Sequence, residues 1–166
     1  GPGYVDYTAM SKSLNQGGSY SIIITSGDFT DDNYAAWIDY NGDHIFSSSE
    51  KLGEFINTTE GQAHTFAFTV PMSAVIGNTI MRVRGVYHLS SEPSPTDPCF
   101  AYEYGETEDY GIEITSITSS VSARRSRSPT VGPNISAYAR REIFAITGLL
   151  RRGARRAPSP ARPAAP

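Results

Sequence analysis

Apolar residues that recur at every second position are the strongest constraint on this chain. In Gln62–Val70, Phe66, Phe68 and Val70 alternate with Thr65, Ala67 and Thr69. A period of two marks a strand with one buried face. Glu108–Thr115 repeats the habit, with Tyr110, Ile112 and Ile114 on one side, and Thr79–Tyr87 does so again. Ser19–Thr25 (SYSIIIT) reads as a short apolar strand, and Tyr34–Tyr40 (YAAWIDY) as a half-buried one carrying Trp37 and Ile38. Turn formers separate these runs: Gly17-Gly18, Asn41-Gly42, Gly61, Gly77-Asn78 and the Pro93–Pro98 stretch. With no long amphipathic helix among them, the expectation is an all-β antiparallel β-sandwich, of jelly-roll or immunoglobulin-like type.

The 166 residues suit one domain with an appendage. Charge shows where the two meet. Residues 1–122 carry four basic residues (Lys12, Lys51, Arg82, Arg84) against 16 acids, a net −12. Residues 123–166 carry ten Arg against Glu142 alone, a net +9. The expected division is therefore a β body over 1–118 and an Arg/Pro/Ala-rich linker and tail over 119–166. An acidic body repels phosphates, which argues against nucleic-acid binding. Thr118–Ser122 reads as a polar linker. Asn134–Arg156 holds the one helical pattern, with Ile135, Tyr138, Phe144, Ile146, Leu149 and Leu150 sharing part of a face and Gly148 weakening it. The tail then reads as a disordered basic or vector-derived extension, or as an amphipathic docking segment.

Cys99 is the single cysteine, so an internal disulfide and a thiolate zinc or iron–sulfur site are excluded. No run approaches the ~20 apolar residues of a membrane span. The Gly-Pro-Gly start, without Met or an apolar leader, reads as a processed or recombinant fragment from which any export signal has been removed.

The stretch richest in chemistry is Asp39–Glu50. Oxygen-bearing side chains stand at loop positions 1, 3, 5 and 9 (Asp39, Asn41, Asp43, Ser47), with the Ile45 carbonyl at 7 and Glu50 at 12. This is the ligand spacing of a Ca²⁺ loop. Calcium takes 6–8 hard oxygen ligands in flexible geometry, and a tight turn gathers them. Magnesium fits less well because it demands a strict octahedron. His44 replaces the usual Gly at position 6, where a left-handed backbone is needed. The competing reading is a polar turn in which Asp and Asn bond their own backbone.

Gly3-Tyr-Val-Asp-Tyr-Thr8, Trp37-Ile-Asp-Tyr-Asn-Gly-Asp43, Ser49-Glu-Lys51, Met81-Arg-Val-Arg84 and Gly105-Glu-Thr-Glu-Asp-Tyr110 follow one another in order. In this the chain resembles the GEVED domain family over about residues 3–116. The resemblance implies a non-catalytic β-sandwich module of secreted or cell-surface proteins, often attached to proteases or adhesins. Thr107 stands where the family's name-giving Val is expected, and His44 where the loop Gly is. The tail lies outside the family pattern.

A second acidic group comprises Glu106, Glu108 and Asp109, next to Glu103. It reads either as a further metal site, completing or adding to the first, or as partners for Arg82 and Arg84 in bidentate pairs that anchor the last strand. Spacing alone does not separate these. Asp6 reads as a capping acid rather than as a further distant ligand, and Asp28, Asp31 and Asp32 as a solvated acidic turn. Asn57-Thr-Thr59 and Asn134-Ile-Ser136 have the form of glycosylation sequons.

For catalysis the sequence offers no Gly-x-Ser-x-Gly, no His-Glu-x-x-His and no phosphate loop. His44, His64 and His88 are scattered, and His64 reads as a surface or rim residue. Three classes of function follow. The first is a calcium-binding extracellular structural or adhesion module, with extracellular proteins or glycans as partners. The second is a carbohydrate-binding module, with Trp37 and tyrosines as stacking platforms; burial of Trp37 would count against it. The third is a subunit of an extracellular polymer, self-associating as the basic tail docks on a neighbour's acidic body.

Overall fold

The computed structural model describes residues 3–87, 97–102, 104–117 and the backbone of 142–146. Among the described residues eight strands form: β1 Gly3–Asn15, β2 Ser19–Thr25, β3 Asp32–Ile38, β4 Lys51–Ile56, β5 Ala63–Thr69, β6 Gly77–Tyr87, β7 Gly105–Thr115 and β8 Glu142–Ile146. They make a five-stranded sheet in the order β1-β7-β6-β3-β4 and a three-stranded sheet in the order β5-β2-β8. The protein is an all-β sandwich.

Two pairings depart from the antiparallel expectation. β1 runs parallel to β7, and β8 runs parallel to β2. Hairpin-like neighbours such as β6 and β7 are antiparallel, but β1 meets β7 only after the chain has traversed the rest of the sheet. β1 alternates half-buried with exposed residues only from Gly3 to Thr8 and is exposed from Ala9 to Ser13, and β4 is too short to show a pattern. β1 is an edge strand, largely exposed, and its register slips between Tyr7 and Ser11. β4 is short and interrupted by Gly53, over which the Phe66 ring lies so closely that a Cβ there would meet it at 2.5 Å.

The inner faces bury Tyr20, Ile22 and Ile24 of β2 against Tyr34, Ala36 and Ile38 of β3, Val83 of β6 and Ile112 and Ile114 of β7. Tyr34, Phe55 and His64 stack in series, with ring centroids 4.9 and 4.6 Å apart. His64 is thus a half-buried stacking residue at the seam between the sheets.

The outer face of the large sheet is also covered. Trp37, Arg82 and Asp109 stand opposite one another in the β3-β6-β7 ladders and therefore share that face. Trp37 is 1% exposed rather than half-buried, and Arg84 on the same face is 2% exposed. Residues 97–102 lie over this layer: Arg84 donates to the Asp97 carbonyl, and through Nη2 to the Phe100 carbonyl at 2.6 Å. Its guanidinium sits 4.7 Å from the Tyr102 ring.

Within Asn134–Arg156, the helical expectation is corrected at Glu142–Ile146, which is a strand on the edge of β2. Available backbone partners on β2 override a short apolar pattern that suits either structure. The rest of that stretch, the 118–122 linker, His88 and Glu103 lie outside the described residues. No helix among the described residues is long and apolar enough to cross a membrane.

Candidate metal loop and acidic strand

Asp39 follows β3 directly, and β6 holds it in place: its N–H donates to the Ile80 carbonyl at 3.1 Å, and its carbonyl accepts from Thr79 Oγ1. The chain then turns sharply. Gly42 and His44 take φ of 71° and 65°, so His44 does adopt the left-handed conformation that position 6 demands. The Asp39 side chain fills the turn, Oδ1 accepting from the Gly42 N–H (2.7 Å) and Oδ2 from the His44 N–H (3.1 Å). Asn41 Oδ1 accepts from the Asp43 N–H (3.0 Å), and Asp43 Oδ1 from the Ile45 N–H (2.8 Å). Asn41 Nδ2 donates to Asp43 Oδ2 at 2.8 Å.

Glu50 closes the loop from a 3₁₀ turn, Ser48–Glu50. Its Oε1 accepts from the N–H groups of Tyr40 (2.8 Å) and Asn41 (3.3 Å). Its Oε2 accepts from Ser47 N and Oγ, both at 2.8 Å. Asp39 and Glu50 are each 3% exposed, while Asn41 and Asp43 stand at the exposed rim. Two buried carboxylates thus occupy one loop, and among the described residues neither forms an ion pair with Lys or Arg.

The donor set is all oxygen, as a hard cation requires, and a carboxylate oxygen has a second lone pair beyond the one an amide occupies. The side chains are nevertheless engaged with the loop's own amides. Among the described residues no group of three or more His, Cys, Asp or Glu is placed to hold a metal ion. Any cation here has to draw Asp43 away from the Asn41 amide. In this structure the residues that carry the calcium spacing form the self-bonded polar turn.

The strand β7 splits the second acidic group by its pleat. Asp109 lies on the outer face and grips Arg82, with Nε–Oδ1 2.8 Å and Nη2–Oδ2 2.7 Å, while the Tyr4 hydroxyl donates to Oδ2 at 3.1 Å. This is the bidentate anchor that the alternative reading described. Arg84 instead donates from Nε to Thr107 Oγ1 at 3.2 Å and to the carbonyls of 97–102. Glu108 points to the opposite face, 4% exposed, and accepts from the Tyr110 hydroxyl at 2.6 Å. Burial pushes the Glu108 carboxyl above its ordinary range; the Tyr110 bond opposes this and the nearby Glu106 charge adds to it. Glu106 and Asp109 are not brought to one point.

Asp6 accepts from Thr8 N (2.8 Å) and Oγ1 (2.6 Å), the local turn expected of a capping acid. Asp28 and Asp31 are exposed, but Asp32 is buried in β3 beside the Tyr34 hydroxyl, which corrects the solvated-turn reading. Asn57 is fully buried, with Nδ2 donating to the Thr59 carbonyl at 3.2 Å, so no glycan can be attached to it in the folded protein.

Sequence reasoning missed a cavity of about 290 Å³ on the outer face, bordered by Tyr4, Arg82, Arg84, Cys99, Tyr102 and Thr107. It exists because residues 97–102 arch over the arginines, a return that no periodicity announces. Cys99 is exposed there, with Sγ 4.0 Å from Arg82 Nη1.

Among known proteins, residues 33–113 match the family model of the GEVED domain. The match runs from β3 to β7 and takes in the Asp39–Glu50 loop, Arg82, Arg84 and the acidic strand; this part of the chain belongs to that family. No curated protein matches the chain.

Proposed function

We propose that the chain is a non-catalytic, calcium-binding structural or adhesion module of a secreted or cell-surface protein. The supporting observation is the pair of buried carboxylates, Asp39 and Glu50, in a loop with Asn41 and Asp43 at its mouth. Burying two anions is costly unless charge or strong hydrogen bonds compensate. Amide N–H groups supply the hydrogen bonds, and a divalent cation would supply the missing charge. When bound, the ion would be held by Asp39, Asn41, Asp43, Ser47, Glu50 and the Ile45 carbonyl. Its contribution is cohesion: it would tie the β3 end to the start of β4. Such a role suits extracellular modules, whose sites bind calcium with Kd of about 10⁻⁴–10⁻³ M.

The non-catalytic reading draws on the engagement of the acidic groups. Asp109 is tied to Arg82 and Glu108 to Tyr110, which leaves neither as an unencumbered acid–base pair. The carbohydrate-binding alternative loses its chief platform, because Trp37 is buried beneath the outer-face layer. Extracellular proteins remain the partner class this reading favours.

The test is thermal unfolding of the purified chain in millimolar CaCl₂ and in EDTA, with elemental analysis of bound metal. A ligand bound only by the native state stabilises by RT ln(1 + [L]/Kd), about 1.4 kcal/mol at 10 Kd. The melting temperature should rise with calcium in the parent and stay fixed in Asp43→Ala. A parent whose melting is indifferent to both additions overturns the calcium reading.

A further inference from the structure

We infer that the outer edge of β2 is a strand-addition site, and that a second copy of this chain can fill it with its own Glu142–Ile146. The argument begins with the β2 sequence. Ser19–Thr25, SYSIIIT, has no charge and no proline. Its pairing with β5 runs without a register shift from Ser19↔Thr69 to Thr25↔Ala63. Native sheets protect edges with charges, prolines or bulges, because a bare edge accepts any strand that arrives. The edge strands of the larger sheet have such protection: β1 carries Asp6, Lys12 and a register slip, and β4 carries Lys51, Glu54 and a slip beside Trp37. β2 has none. Without an added strand, its outward N–H and C=O groups would lie open beside a core that includes Ile22 and Ile24.

The chain supplies a strand that fits. β8 pairs with β2 in parallel from Tyr20↔Glu142 to Ile24↔Ile146. This ladder is made by backbone groups, so the same segment from another molecule satisfies the same edge equally well. The 24 residues between Ile117 and Glu142 reach up to ~80 Å when extended, enough to serve a neighbour's edge as well as the chain's own. Charge favours the encounter, since the donor segment lies within a stretch of net +9 and the acceptor within a body of net −12.

The exposed Cys99 gives a labelling point on the opposite sheet's outer face. Full-length chain labelled there with a donor dye is mixed with chain carrying an acceptor dye, from ~10 µM to ~1 mM, a range that reaches the ~mM effective concentration of a short tether. Energy transfer should rise with concentration. It should fall at least tenfold when Ile143→Pro and Phe144→Pro are combined, since whichever residue faces β2 then lacks its N–H. An excess of a peptide spanning residues 140–147 should suppress the wild-type signal, a measurement that does not depend on the variant folding. Absence of transfer at ~1 mM, or transfer that neither the peptide nor the double variant lowers, overturns the proposal.

Discussion

Arg82 and Asp109 face each other across β6 and β7 and share two parallel hydrogen bonds, 2.8 and 2.7 Å long, on the outer face of the large sheet. The pair does more than join two strands. The Arg82 guanidinium also lies 4.9 Å from the Phe46 ring, within the Asp39–Glu50 loop, and donates from Nη1 to the Pro98 carbonyl at 3.2 Å. One side chain thus ties the last body strand, the acidic loop and the 97–102 arch together.

Removing one partner should therefore be far worse than removing both. Asp109 is buried, and Asp109→Ala leaves a largely buried guanidinium with no counter-charge, so a loss of about 3–5 kcal/mol is expected. Combining Arg82→Met with Asp109→Leu should recover most of it, because the desolvation cost vanishes with the charges. Urea unfolding of the single and double variants gives the comparison.

Glu50 should matter to stability whether or not calcium is present. Its carboxylate accepts from three backbone N–H groups, those of Tyr40, Asn41 and Ser47. Glu50→Ala leaves buried donors unsatisfied, at about 1–3 kcal/mol each where water cannot reach them. The opposite sign is expected at His44, whose φ of 65° is strained for a residue with a Cβ. His44→Gly relieves about 1 kcal/mol of that strain, less the entropy glycine adds to the unfolded chain. Chemical denaturation in EDTA isolates both effects from metal binding.

Much of this fold is legible in the sequence, and the gaps have physical causes. β5, β6 and β7 announce themselves by alternation, and β2 and β3 as short apolar runs bounded by turn formers. β1 does not, because as a largely exposed edge strand it has little burial to record. Trp37 reads as half-buried because alternation cannot reveal that the outer face of the large sheet is covered too. Glu142–Ile146 suits helix or strand equally in isolation, and the partner edge, 122 residues away at Tyr20↔Glu142, decides it. In the loop, spacing identifies Asp39, Asn41, Asp43 and Glu50, but not that each would turn to bond its own backbone.

Gly53 should prove irreplaceable on steric grounds. Phe66 of the facing sheet packs over it, and a Cβ would stand 2.5–2.9 Å from three ring atoms. Phe66 also meets Phe55 edge-on with centroids 6.0 Å apart, so its ring has little room to retreat. Gly53→Ala should cost about 1–3 kcal/mol, the range for overpacked cores. Trimming the ring in the second variant Gly53→Ala/Phe66→Leu should return part of it; additive losses would show that the two positions are uncoupled.

Glu108 should make stability fall as pH rises through the acidic range. Burial is the main cause that raises its pKa in the folded protein, so the folded state holds a proton that the unfolded chain has already released. Stability changes with pH as the number of protons bound unfolded minus the number bound folded. That difference is negative between the ordinary carboxyl pKa and the raised one, and the contribution of this group declines across the window. Below it both states are protonated and no penalty is felt. Glu108→Gln keeps an acceptor for the Tyr110 hydroxyl but cannot ionise. Its melting temperature should match the parent's in acid and exceed it at neutral pH. A parent and variant that differ by the same amount at every pH would mean that Glu108 acts through its shape rather than its charge.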